Sequence, residues 1–410
     1  MDERVDRKNG NLFLWSNLLI YLGAPVFYID VTQAALCNKL GASATVANLP
    51  ASFNLLGCFA PIILACLVPY RWERRMAWAP NALISVLLVL VGTALILPLD
   101  NHARIVAVIV ECTAMGLFNS VGQVYMMQCL GRGTSEWGRA RAMKLTFTFG
   151  PLAAVVGSLG TQYILRGGIP ALVFPRDFAA IHFFGVPCAA ITAWCCGRFE
   201  LAPIAETARP AFLPQLRESV RDYLGSRAMV MLFLAYLLWN CALYGMANLS
   251  LYTKQAMGRD PAEFSGLILA LRFGAKAVAG FFLGVLNIRY GYRAALIAGV
   301  AMVGLAIVWA WVVPGYAYLG AFGLMGAGEL SGAYFPLVIL SWSPAASAAR
   351  DMSLLGLASP ASSPSPALYG FVTDHLGFPA SFALGTAISL AALWLVFKLP
   401  AGKSQPATRQ

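Results

Sequence analysis

The sequence predicts an all-α integral membrane protein of twelve transmembrane helices, arranged as two pseudo-symmetric bundles of six. Three observations lead there. Of 410 residues, 59% are hydrophobic and 11% charged, where a soluble domain carries about 25% charged residues. The apolar residues fall in long continuous runs, unlike the short alternating segments of a barrel strand. The second half of the chain also echoes the first at an offset of 210–218 residues. No polar stretch is long enough to build a separate soluble domain. Composition therefore excludes a soluble globular protein, a disordered chain and a singly anchored domain.

In chain order the runs place helices at 11–36, 45–69, 77–98, 104–130, 143–165, 178–197, 229–253, 262–287, 293–313, 316–342, 352–373 and 378–398. The first follows the charged start MDERVDRKNG, holds Asn17 and Asp30, and is too long and interrupted for a cleaved leader. The second ends before Arg71, Arg74 and Arg75, and the fourth before Arg132, Arg139, Arg141 and Lys144, which precede the fifth. The sixth stops at Arg198. The connection at 198–228 carries Pro203, Pro210 and Pro214, then Leu213, Leu216, Val220 and Leu224 at the spacing of an amphipathic surface helix. It separates a six-helix unit at 1–197 from a second at 229–410. The eighth helix carries Arg272 and Lys276 and ends near Arg289, with Arg293 opening the ninth. The eleventh contains SPASSPSPALYG at 359–370, too rich in Pro and Ser for a regular helix.

Charge sets the expected topology. The net charge of +11 would suggest nucleic acid in a soluble protein, but these basic residues lie in short loops. An even number of spans puts 21 of the 29 Lys and Arg residues on the side of the termini and 6 on the other. That bias predicts cytoplasmic termini in a cell (inner) membrane. The nine cysteines sit in or beside apolar runs at no metal-ligand spacing, and the three histidines, His102, His182 and His375, are far apart in sequence. No cofactor or metal is expected.

The internal repeat is carried by MGLFNSVG at 115–122 and MGAGELSG at 325–332, by Tyr28 with Tyr244, and by Lys39 with Lys254. The loops CLVPYRWERR at 66–75 and GVLNIRYGYR at 284–293 correspond as well. On these residues the chain resembles the major facilitator superfamily. That family's repeated loop reads Gly-x-Leu-x-Asp-Arg-x-Gly-x-Arg. The second copy here keeps Gly284, Leu286, Arg289, Gly291 and Arg293 but has Ile288 at the acid; the first keeps only Arg71, Arg74 and Arg75. The resemblance implies that these loops gate the cytoplasmic side, and the missing acids take away the latch's usual charge partners. FGPLAAVVG at 149–157 lacks the full glycine pattern of the drug/proton antiporters, and Cys112 stands where their helix 4 has arginine.

Charges inside a span cost about 2.5–3.5 kcal/mol each by insertion scales and mark functional sites. Five occur: Asp30, Glu111, Arg272, Lys276 and Glu329, all on helices that the resemblance places at or beside a central cavity. Arg272 and Lys276 share one helix face. Two cations against Glu329 alone leave an excess positive charge, which an anionic substrate would offset. The same three residues could instead form a structural ion pair or a mobile gate. Asp30 and Glu111 are candidates for proton coupling, or else carboxylates held by Tyr or Asn donors. Tyr28, Gln33, Asn54, Asn119, Gln123, Trp239, Asn240, Tyr244 and Asn248 add aromatic and amide groups suited to an organic ligand.

The resulting expectation is a monomeric secondary transporter working by alternating access. Its partners are a small-molecule substrate, protons or another coupling ion, and the lipid bilayer, with no nucleic acid. A small organic anion such as a carboxylate, an acidic sugar or a phosphorylated metabolite comes first, and a proton-coupled neutral sugar second. Scattered histidines and short loops argue against a membrane-embedded enzyme, and the chain has no visible signalling domain for a sensor.

Overall fold

The computed structural model describes residues 2–68, 70–202, 212–343 and 345–400. Every apolar run is helical, yet several are broken. The first run is α1 (Glu3–Leu22), α2 (Ala24–Phe27) and α3 (Val31–Lys39), and the second is α4 (Ala44–Gly57) and α5 (Ala60–Leu67). Single helices follow: α6 (Glu73–Ile96), α7 (Asn101–Gly133), α8 (Glu136–Leu165) and α9 (Arg176–Gly197). After α10 (Phe212–Gly225), the seventh run comprises α11 (Arg227–Leu243), α12 (Met246–Leu251) and α13 (Thr253–Met257). Next come α14 (Ser265–Tyr290) and α15 (Tyr292–Val312), then the tenth run as α16 (Gly320–Glu329) and α17 (Ser331–Trp342). The chain closes with α18 (Ala345–Gly356), α19 (Ala358–Ala361), α20 (Pro364–Leu376) and α21 (Phe378–Lys398). Among the described residues, nine helical stretches are long and apolar enough to cross a membrane. The first, second and eleventh runs fall outside that group.

The breaks have local causes. Gly23 ends α1, and Pro25 lies in the first turn of α2, where a missing N–H costs nothing. The chain is then extended at Tyr28, and the Asp30 carboxylate caps α3 by accepting the Val31 N–H at 2.5 Å. In the seventh run the interruption falls at Tyr244 and Gly245, the counterpart of the Tyr28 break by the sequence repeat. The Pro- and Ser-rich eleventh run is interrupted at Leu357 and at Ser362–Ser363, as its composition leads one to expect.

Helices up to α9 supply most of one hydrophobic core and those from α10 onward most of another, with Ala247, Leu251 and Ala262 joining the first and Ala24, Val31 and Ala154 the second. The repeat is visible in the packing. A Cβ on Gly116 of α7 would overlap the carbonyl oxygen of Asn54 in α4, and one on Gly326 of α16 would overlap the carbonyl oxygen of Arg272 in α14. Gly116 and Gly326 are 210 residues apart, and Asn54 and Arg272 are 218 apart. The same close helix crossing is thus made twice, with glycine as the residue that permits it.

Helices α1, α7, α8, α9, α14 and α15 fix two faces: one holds the N-terminus, and the other, here the far face, holds the turns near Gly41, Asp100, Gly167 and Gly258. Contacts between the two cores run along the far-face parts of α4 with α20 and of α8 with α14. Of the connection at 198–228, residues 203–211 lie outside the described structure. In α10 it is Tyr223 that is buried, packing on the second core, while Leu224 is 64% exposed. Val220 is partly buried against the same core.

Candidate functional site

Two of the chain's helix interruptions meet in one ion-pair network on α14. Arg272 projects from α14, whose first turn is at the far face. Its Nη1 donates to the Asp30 carboxylate at the break before α3, and its Nε donates to Glu329 Oε2 at 2.9 Å. Glu329 is the last residue of α16, where the tenth run is interrupted. Lys276, one turn along α14 from Arg272, donates to Glu329 Oε1 at 2.8 Å. The arrangement follows from local sequence: i,i+4 spacing aligns the two cations, and the breaks at Asp30 and Glu329 free carboxylates where backbone is already irregular.

The network is dry on one side and half-open on the other. The Arg272 and Asp30 side chains are 4% and 6% exposed, whereas Lys276 and Glu329 are 16% and 15% exposed. Aromatic rings complete it. The guanidinium lies 5.8 Å from the Tyr28 ring centre and 5.6 Å from that of Phe273. Tyr28 stacks on Tyr21 at 6.0 Å and meets Phe273 edge-on at 5.0 Å. Asp30 belongs to the first core's helices and Arg272 to the second's, so the pair joins the two.

This geometry corrects a premise of the sequence reading. Arg272 and Lys276 are balanced by two carboxylates, Asp30 and Glu329, and not by Glu329 alone. The excess positive charge that pointed to an anion is absent from the network. Asp30 and Glu111, the two proton-coupling candidates, face different partners. Glu111 of α7 faces His182 of α9, with Oε2 and Nε2 3.4 Å apart and both side chains 1% exposed.

The remaining candidates make no hydrogen bond to the network among the described residues. Asn240 donates to the Tyr236 carbonyl at 2.9 Å within α11, a local bond. Tyr244 is half-buried at the break of the seventh run, and Asn119 is half-buried on α7. Asn54 donates to the Cys112 carbonyl at 3.1 Å, and Gln33 to that of Pro25 at 3.4 Å. Trp239 stacks on Tyr236 at 5.5 Å, its indole N–H without a partner.

At the face holding the N-terminus, the expected gating residues make contacts inside their own cores. Glu73, at the glycine position of the loop pattern, pairs with Arg132 of α7. Arg75 lies 5.7 Å from the Trp72 ring centre. Arg293 donates to the Phe397 carbonyl at 2.6 Å, and Arg289 is exposed. A Cβ on Gly284 would meet open space, whereas Gly291 turns the chain between α14 and α15 with φ of 81°. Arg71 is exposed on the turn before α6.

At the far face the two cores are tied by groups of which the sequence reading singled out only Asn248 and Lys39. The Asp374 carboxylate on α20 accepts from the N–H groups of Ala44 and Thr45 at 2.9 and 2.8 Å and from Thr45 Oγ1 at 2.6 Å. It therefore caps α4 from the other core. Asn248 accepts from Asn48 at 3.2 Å and donates at 2.9 Å to both Thr373 and Ser381. Ser52 Oγ accepts the Ala367 N–H at 3.0 Å, and Lys39 lies 3.4 Å from Asp260.

No protein-family model matches the sequence, and no curated protein does. Solved structures do match over nearly the full length. A bacterial homologue of the iron transporter ferroportin, in an inward-facing state, is 14% identical, with a TM-score of 0.70 over 97% of this chain and 99% of that one. The nucleoside transporter NupG is 13% identical, with a TM-score of 0.65 over 95% and 98%. A peptide transporter POT in complex with sulfate is 14% identical, with a TM-score of 0.67 over 96% and 93%. At such identities it is the path of the chain that is shared. Together with the duplicated glycine crossing, these matches give the chain the fold of the major facilitator superfamily.

Proposed function

We propose that this chain is a secondary transporter that moves a small organic solute across a membrane by alternating access. The observation that carries the proposal is the Asp30–Arg272–Glu329 network: it joins the two cores, and its acids lie where helices are interrupted. Buried charges at such breaks are the usual makings of a transport site. In this reading the chain has twelve spans in two halves, 1–197 and 229–410, joined by a cytoplasmic linker at 198–228, with both termini cytoplasmic. The ties at Asp374, Asn248 and Lys39 then close the outer side, and the arrangement corresponds to an inward-facing state like that of the ferroportin homologue.

A neutral polar solute fits the site best, because the network balances its own charge. Tyr28, Tyr244, Asn119 and Asn240 would supply ring faces and amides for it, with Lys276 and Glu329 as the accessible charged pair. An organic anion is the second reading. Protonation of Asp30 would release the fork of Arg272 for a carboxylate or phosphate, linking uptake to protons. Arg71, Arg75, Gly284, Arg289, Gly291 and Arg293 would flank the inner opening.

Thermal stabilisation of the purified protein by a panel of neutral sugars, nucleosides and organic anions tests the substrate class. Uptake of each hit into proteoliposomes, with and without an imposed proton gradient, tests transport. Stabilisation by anions alone would replace the neutral reading with the second. Binding without uptake under any ion gradient would overturn the transporter assignment.

A further inference from the structure

The structure holds a buried acid–imidazole contact well inside the first core, made by residues outside the Arg272 network. His182 Nδ1 lies 2.8 Å from the Phe178 carbonyl oxygen, one turn back on α9. A carbonyl oxygen only accepts, so Nδ1 carries a hydrogen. Nε2 points at the Glu111 carboxyl of α7, 3.4 Å away. Neither oxygen of Glu111 has a hydrogen-bond partner, and neither does Nε2. Both side chains are 1% exposed. Among the described residues, the thiols of Cys37 on α3 and Cys112 on α7 also interact with Glu111.

Elementary electrostatics constrains what such a pair can be. With His182 neutral and Glu111 ionised, a nitrogen lone pair would face a carboxylate in a dry interior. That leaves a buried charge with neither a counter-charge nor a hydrogen bond, a costly arrangement. One added proton removes the conflict wherever it sits. On Nε2 it makes an imidazolium facing a carboxylate, and on Oε2 it makes a neutral acid donating to imidazole. We propose that Glu111 and His182 form a proton-binding site that holds one proton between them at neutral pH. Both α7 and α9 belong to the first core, so the proton would move with that core. The site requires no particular substrate, and it stands whether or not the Arg272 network binds solute.

The test uses the full-length protein in detergent at pH 7, labelled with ¹⁵N-histidine and read by NMR, with infrared spectra for protonated carboxyl groups. The chain has three histidines, and His102 and His375 are exposed. Their replacement by Gln identifies the His182 signals even where His182→Gln fails to fold. The proposal expects one of two signatures. His182 is an imidazolium and loses that state in Glu111→Gln, or His182 is neutral and a protonated-carboxyl band disappears in Glu111→Gln. A neutral His182 with no such band overturns it. So does an imidazolium unchanged by Glu111→Gln, because the proton would then not belong to the pair.

Discussion

Asp30 of the first core is ion-paired to Arg272 of the second, and both are nearly sealed from solvent. Removing one partner of a buried pair leaves the other uncompensated and typically costs about 3–5 kcal/mol. Glu329 remains bonded to Arg272 by 2.9 Å contact, so Asp30→Asn should fall at the lower end of that range. The double variant Asp30→Asn/Arg272→Gln should be more stable than the two single losses sum to, with a coupling of about 0.5–3 kcal/mol. Unfolding of all four proteins in one detergent measures it. Strict additivity would mean the pair does not hold the cores together.

Arg272 and Lys276 should not be interchangeable. Arg272 serves two carboxylates through different nitrogens, whereas Lys276 serves one. An ammonium is a point charge without that fork. Arg272→Lys should therefore lose much of what Arg272→Gln loses. Lys276→Gln should be milder, because Glu329 keeps Arg272 and the lysine is half-open to solvent. Thermal melts of the three variants give the order, and an Arg272→Lys variant as stable as the parent would remove the bridging role.

The five charges inside the spans were legible in the sequence, because hydropathy makes each of them conspicuous. Their pairing was not. Asp30 and Arg272 are 242 residues apart, and they meet only because the first run breaks at Tyr28 and α14 crosses there. His182 gave no usable signal, since a lone histidine in an apolar run is ordinary; only the packing of α9 against α7 sets it beside Glu111. The glycine crossing was partly legible. The repeated Met-Gly motif marked Gly116 and Gly326, but a motif does not say which helix each glycine faces. Asp374 was invisible for a simpler reason: it looks like any loop acid until α4 presents its free N–H groups to it.

Asp374 lies one residue past the expected span of 352–373, so its titration bears on the far-face tie. Burial acts to raise its carboxyl, but hydrogen bonds from Thr45, Ala44 and Ser43 outweigh that and hold it below the usual carboxylate range. With the faces apart, the carboxyl would titrate near the ordinary value of about 3.9. The tie is thus fully present above that pH and is lost as pH falls through the lower, bound value. Asp374→Asn should loosen the far face at neutral pH and abolish this acid dependence. Cross-linking of cysteines placed at Ser43 and His375, in a background without native cysteines, reads both effects. An unchanged acid profile in Asp374→Asn would assign the dependence to another group.

The expected topology has a direct check in the same cysteine-free background. A cysteine at Asn101 on the far face should react with an impermeant reagent added outside intact cells. One at Glu200, beside Lys8 at the opposite face, should react only after permeabilisation. The reverse pattern would invert the protein in its membrane and turn the Asp374 tie into an inner closure.

At the far face α14 also approaches α8 backbone to backbone. A Cβ on Gly266, at the start of α14, would overlap the Ser158 carbonyl oxygen of α8 and lie 2.5 Å from the Gln162 N. Gln162 also binds α14 directly, accepting the Leu267 N–H at 2.6 Å. Backbone atoms cannot swing aside as a side chain can, so a bulky residue at Gly266 must force the helices apart. Overpacking of this kind costs about 1–3 kcal/mol. If that cost falls only on the closed far face, each 1.4 kcal/mol raises the open population about tenfold. Ser52, buried between α4 and α20, is a suitable reporter as Ser52→Cys. Gly266→Leu should raise its labelling rate from the far side roughly fivefold to a hundredfold. Gly160→Leu on the same α8 helix, where a side chain meets open space, should leave the rate unchanged. Equal rates in both variants would mean that α8 and α14 stay together when the far face opens, and the moving boundary would then have to run elsewhere.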